Sequence, residues 1–144
     1  MDAHYYQVNL QWETDRKGLI FSPELDQSFT VATPPPFQGG IDRTWSPEHL
    51  LTAAVNSCFM TTFLAIAANS KLEFNKFECE SKGKLEQVDG KYLMTEIILN
   101  PILTINKSGD QERAERILMK SEAACLISNS IKSKVILHPT IIVN

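Results

Sequence analysis

Between Leu50 and Ala68 the chain runs through small and apolar residues without one charged side chain. A helix over this stretch has no polar face to offer to water, so neighbours must cover it nearly all round. Its start is marked. Ser46 caps, Pro47 takes the first helical position where its missing N–H costs nothing, and Glu48 complements the helix dipole. Asn69-Ser70 ends it. Thr52, Asn56, Ser57, Thr61 and Thr62 interrupt the stretch and no Lys or Arg cluster flanks it. A membrane span needs about 20 predominantly apolar residues, so a buried helix is the expectation here.

The other elements follow from local pattern. Tyr6, Val8, Leu10 and Trp12 alternate with Gln7, Asn9, Gln11 and Glu13, the period of a half-buried strand. A turn over Thr14 to Gly18, a return strand at Leu19-Ile20-Phe21 and a third strand at Phe29-Thr30-Val31 make an antiparallel meander. Thr33 to Thr44 is a loop, stiff at Pro34-Pro35-Pro36 and open to close backbone approach at Gly39-Gly40. Phe77, Cys79, Ser81, Gly83 and Leu85 form one face of a strand; Glu78, Glu80, Lys82, Lys84 and Glu86 form the other. Asp89-Gly90 signals a hairpin, and Tyr92 to Leu99 returns. Pro101 predicts an edge or bulge before Ile102 to Ile105. Ser108 and Gln111 stand at capping-box spacing. Ala114, Ile117, Leu118, Ser121, Ala124 and Cys125 then share a helical face. Val135 to Leu137 and Ile141 to Val143 close the chain as strand. The pattern predicts a single α+β domain over residues 1–144.

With 14 basic against 17 acidic side chains, the chain lacks the positive field that non-specific nucleic-acid binding requires. The N-terminus shows neither a basic region nor an apolar run of signal type, and three cysteines cannot make an even disulfide framework. Both features predict a cytoplasmic protein with free thiols and no membrane partner.

Cys79 sits on the apolar face of its strand and reads as core. Cys58 and Cys125 differ: each lies on a helix among small residues and hydroxyls, Thr61 and Thr62 after the first, Ser128-Asn129-Ser130 after the second. A reactive thiol needs a cation, hydrogen bonds or a helix N-terminus to favour its thiolate, and Cys58 is mid-helix. Periodicity leaves burial and reactivity both open for this pair. No C-x-x-C or H-x-x-x-H occurs, and His4, His49 and His138 are scattered, so no metal site is predicted. Neither a nucleophile elbow nor a phosphate-binding loop is present.

Two runs carry more. Phe37-Gln38-Gly39-Gly40 followed by Trp45 to Leu51 and Ala53 to Met60 resembles the first-cysteine motif of the OsmC/Ohr family. Ala123-Ala124-Cys125-Leu126-Ile127-Ser128-Asn129-Ser130 resembles its second-cysteine motif. The order of elements fits as well. The resemblance implies an OsmC-like fold, antiparallel sheets wrapped around central long helices in an intertwined homodimer. It implies a thiol-dependent peroxidase that reduces organic hydroperoxides or hydrogen peroxide, without metal or organic cofactor, regenerated by an external dithiol reductant. By motif match Cys58 is the peroxidatic thiol and Cys125 the resolving thiol, while Glu48 matches the acidic residue of the Pro-Glu pair. The family places an arginine beside the thiolate; Arg16 is the best match and Arg43 its rival. Two other readings share the features: a binding protein for a small apolar ligand, and a redox sensor.

Overall fold

The computed structural model describes residues 1–144, which divide into two compact units, Met1–Leu50 and Leu51–Asn144.

In the first unit, β1 (Asn9–Thr14), β2 (Lys17–Phe21) and β3 (Phe29–Ala32) form the expected antiparallel sheet in the order β1-β2-β3. Its turn is tighter than the sequence pattern suggests. Lys17 and Gly18 already belong to β2, and the reversal falls on Asp15, whose φ is +48°, and Arg16. The alternating face of the N-terminal segment is not half-buried. Strand begins at Asn9 and not at Tyr6, and Leu10 and Trp12 remain 68% and 73% exposed. Alternation reports which residues share a face; whether that face is covered depends on what packs against it.

The Thr33–Thr44 loop is irregular but closely tied. Ile41 N–H donates to the Thr33 carbonyl (2.8 Å), Gly40 N–H to Phe37 (2.9 Å) and Ala32 N–H to Trp45 (2.8 Å). At Gly40 a Cβ would stand 2.1 Å from the Pro34 carbonyl oxygen, so the proline half of the loop folds directly onto the glycine half.

Helix α1 (Pro47–Asn69) starts in the first unit and continues into the second. Ser46 caps it as expected: its Oγ accepts the His49 N–H at 3.2 Å and its carbonyl accepts Leu50 N–H at 3.0 Å. The far end closes in a Schellman arrangement with Lys71 left-handed at φ +54°. Leu72 N–H bonds the Ala67 carbonyl and Lys71 N–H bonds Ala68.

In the second unit, β4 (Lys76–Val88) and β5 (Lys91–Ile105) form a long hairpin whose two-residue turn, Asp89-Gly90, has φ of +50° and +79°. This is the type I′ turn that the dipeptide signals. Helix α2 (Gln111–Ala124), preceded by a short 3-10 turn at Ser108–Asp110, leads to β6 (Lys134–Leu137) and β7 (Thr140–Val143). The capping box does not form. The residue before α2 is Asp110, which makes no side-chain cap; Arg113 one turn on holds its carboxylate at 3.3 Å. Both closing strands pair parallel to β5, so this sheet is mixed and not purely antiparallel. The α2 crossover allows a parallel return, which a short hairpin cannot.

Pro101 breaks nothing. Strand β5 runs through it at the centre of the sheet, with β6 alongside Glu96–Leu99 and β7 alongside Ile102–Ile105, so the proline falls between them. On the β4 side it stands opposite Cys79, whose carbonyl takes a hydrogen bond at 3.0 Å from the Asn56 side chain of α1.

The core lies on the face of β5 that carries Ile97, Leu99, Leu103 and Ile105, against Val55, Phe59, Phe63 and Ala67 of α1 and Ala114, Ile117 and Leu118 of α2. Phe63 stacks on Phe77 (centroids 4.9 Å apart) and meets Phe74 edge-on (5.2 Å). Each fully buried side chain of this size contributes roughly 1.5–3 kcal/mol. The buried stripe of α1 follows i, i+4, i+8, i+12. The rest of this apolar helix is not sealed, with Met60 39% and Leu64 42% exposed.

Candidate active site

Cys58 and Cys125 reach one site from different elements. Cys58 is half-buried on α1; Cys125 is completely buried at the point where the chain leaves α2 in extended conformation (φ −65°, ψ 117°). Beyond it the chain turns back: Asn129 N–H bonds the Cys125 carbonyl (3.1 Å) and Ser130 N–H bonds Ile127 (3.0 Å).

This turn sets the electrostatics of the pair. Burial pushes the Cys58 thiol up, but hydrogen bonds to its thiolate from the Cys125 thiol, the Ile127 N–H, the Thr62 hydroxyl and the Leu126 N–H outweigh it, and the thiol ends below its ordinary value. The Thr62 Oγ1 lies 3.9 Å from the Cys58 sulfur, one helical turn on. Cys125 moves the opposite way, raised first by burial and then by the neighbouring Cys58. Cys79 is pushed up to about 11, mainly by burial, with Glu80 adding to it. Of the three thiols, Cys58 is thus shifted down while Cys125 and Cys79 are shifted up.

The sequence points to a cation for the activation of Cys58. Within the second unit the donors are instead a thiol, a hydroxyl and two backbone N–H groups. Thr62 at i+4 was legible as a nearby hydroxyl; backbone donors have no residue signature and were not.

Glu48, Arg16 and Arg43 belong to the first unit. Glu48 is half-buried in the first turn of α1. The Arg16 side chain lies across Gly39, whose φ is +77°; a Cβ there would approach Arg16 Cγ to 3.0 Å and Nε to 3.3 Å. Arg16 also lines a groove of about 240 Å³ with Leu10, Trp12, Val31 and Pro47, which sets a cation against apolar walls. Arg43, left-handed at φ +58°, lines a separate cleft with Trp45 and His49. The Ser46 Oγ shares a 2.6 Å hydrogen bond with His49 Nδ1, but Ser46 is fully buried and capping, so this pair offers no exposed nucleophile.

The thiol assignments carry a pH signature. Alkylation of Cys58 is expected to follow a midpoint below that of an ordinary thiol, near pH 8.5, and that of Cys79 a midpoint well above it. At pH 7 iodoacetamide should therefore label Cys58 first, as read by peptide mass spectrometry. Equal labelling of Cys79 at that pH would contradict the assignment.

The chain is thus an α+β fold with two helices packed on a mixed sheet, and it sets a cysteine of one helix beside the cysteine that ends the other. The chain belongs to the OsmC family: the family model described as OsmC-like protein matches residues 39–138. The uncharacterized protein YmaD of Bacillus subtilis is 26% identical over 140 residues, covering 94% of this chain and 91% of that one. The fold is OsmC-like. An OsmC-like protein of unknown function from Vibrio cholerae superposes with a TM-score of 0.83 at 19% identity, over 95% of this chain and 99% of the other. An organic hydroperoxide resistance protein from Elizabethkingia anophelis gives 0.76 at 20% identity, over 98% and 99%.

Proposed function

We propose that this protein is a thiol-dependent peroxidase acting on organic hydroperoxides. The observation that carries the reading is the cysteine pair: a half-buried sulfur with several hydrogen-bond donors to its thiolate, beside a fully buried sulfur whose thiol is shifted the opposite way. Membership of the OsmC family and likeness to a protein named for organic hydroperoxide resistance support it.

In this reading the Cys58 thiolate attacks the outer peroxide oxygen, the O–O bond breaks, and the alkoxide leaves as alcohol once protonated. The sulfur is then a sulfenic acid. The Cys125 thiol condenses with it, giving the Cys58–Cys125 disulfide and water, and an external dithiol reductant reopens it. Arg16 stabilises the thiolate and the departing oxygen, with Arg43 as the alternative, and Glu48 orients the guanidinium. The apolar groove around Arg16 suits an alkyl or aryl hydroperoxide better than hydrogen peroxide. The protein works as a homodimer.

Purified protein supplied with cumene hydroperoxide and a dithiol is expected to consume many equivalents of peroxide per chain. Consumption that stops at one equivalent would make it a redox sensor, and none at all would make it a binding protein.

A further inference from the structure

The segment after α2 holds its polar groups tightly, with one exception. Ser130 Oγ donates to the Leu126 carbonyl at 2.7 Å and Asn129 Nδ2 donates to Ala123 at 3.1 Å. The Ser128 hydroxyl, buried from solvent in the same turn, makes no hydrogen bond. An orphan hydroxyl in an interior is destabilising, and an alanine in its place would remove the penalty. The turn that bonds Asn129 N–H to the Cys125 carbonyl folds Ser128 back beside Cys125.

We infer that Ser128 is a further residue of the proposed reaction: its hydroxyl donates a hydrogen bond to the Cys125 sulfur whenever that sulfur carries negative charge. The inference rests on the peroxidase reading and extends it to the resolving half. A neutral thiol is a poor acceptor and leaves the hydroxyl idle, whereas a thiolate is a strong one. Both the hydroxyl and the N–H of Ser128 favour a thiolate at Cys125, against burial and against Cys58, the titratable group that faces it from α1.

The chemistry needs this donor twice. To attack the Cys58 sulfenic acid, Cys125 must give up its proton inside a fully buried site. The S–S bond forms, the S–O bond breaks, and the departing hydroxide takes the proton as water. Later an external thiolate attacks the more accessible Cys58 sulfur, the S–S bond breaks, and its electron pair leaves on Cys125. The same hydroxyl meets the charge in both steps and meets none between them.

The test uses the full chain, one equivalent of cumene hydroperoxide, and dimedone quenching with mass spectrometry to follow sulfenate and disulfide at Cys58. Ser128→Ala should prolong the sulfenate about tenfold and slow dithiol reopening similarly, the scale of one hydrogen bond to a charged group. Ser128→Thr, which keeps the hydroxyl, should restore both rates. Loss of the orphan should also raise the unfolding temperature of Ser128→Ala, the sign opposite to that of a structural hydrogen bond. A wild-type sulfenate lifetime in Ser128→Ala, with the disulfide still forming, would overturn this assignment alone. A wild-type protein that forms no Cys58–Cys125 disulfide would overturn it together with the reading beneath it.

Discussion

Cys58→Ser is expected to abolish peroxide consumption, lowering it at least about a hundredfold, because a serine hydroxyl is neither ionised near neutral pH nor able to accept the oxygen as sulfur does. Cys79→Ser should leave consumption nearly intact. Its thiol is held near 11 on a strand whose neighbours are the aromatic core, and it touches neither of the other sulfurs' hydrogen bonds. Cys125→Ser should remove the Cys58–Cys125 disulfide and let sulfenate accumulate at Cys58. Peroxide consumption measured with dithiol present checks all three variants. Full activity in Cys58→Ser would end the proposed mechanism.

Light scattering should give twice the 16.2 kDa of one chain at micromolar concentration. The expectation of a dimer rests on the apolar surface that stands open on a single chain. Tyr6, Val8, Leu10 and Trp12 are 64% or more exposed, and Met60 and Leu64 project from a helix with no polar face. In the proposed dimer the small residues Ala53, Ala54, Ala65 and Ala68 would let two such helices approach closely. The helix carries a second consequence. Glu48 and Cys58 are ten residues apart on α1. Ten helical residues rise about 15 Å and turn well off a common face. A Glu48 that serves Cys58 therefore comes most simply from the partner. Mixing Cys58→Ser with Glu48→Ala subunits under exchange should then restore activity from two inactive parents. With half the dimers mixed and one of two sites intact in each, about a quarter of the wild-type rate is expected. A 16.2 kDa species would end the dimer proposal, and no regain on mixing would show that each chain builds its own site.

Much of the fold was written in local pattern. The charged and uncharged faces of β4, the Asp89-Gly90 turn, the buried stripe Ala114-Ile117-Leu118-Ser121 and the Ser46 cap all appear as the residues suggest. Each depends on neighbours within a few positions, so the residues nearby suffice to specify it. The expectations that changed depend on distant chain. Pro101 sits in a central strand because two later strands leave a gap beside it. The capping box does not form: Ser108 lies in the 3-10 turn ahead of α2, and Arg113, in the first turn, reaches the distant Ser70 carbonyl as well as the Asp110 carboxylate.

The site divides along the same line. The resemblance to the OsmC/Ohr motifs implied Cys58 and Cys125 as a pair, and strand alternation put Cys79 on the apolar face of its strand. Neither revealed how Cys58 is activated, since the Ile127 and Leu126 N–H groups belong to every residue type alike. Only the tertiary structure brings that turn to α1, buries Cys125 and strands the Ser128 hydroxyl beside it. Side-chain identity fixes what chemistry a residue can perform, while the course of the backbone, set by long-range packing, decides which donors reach the charge.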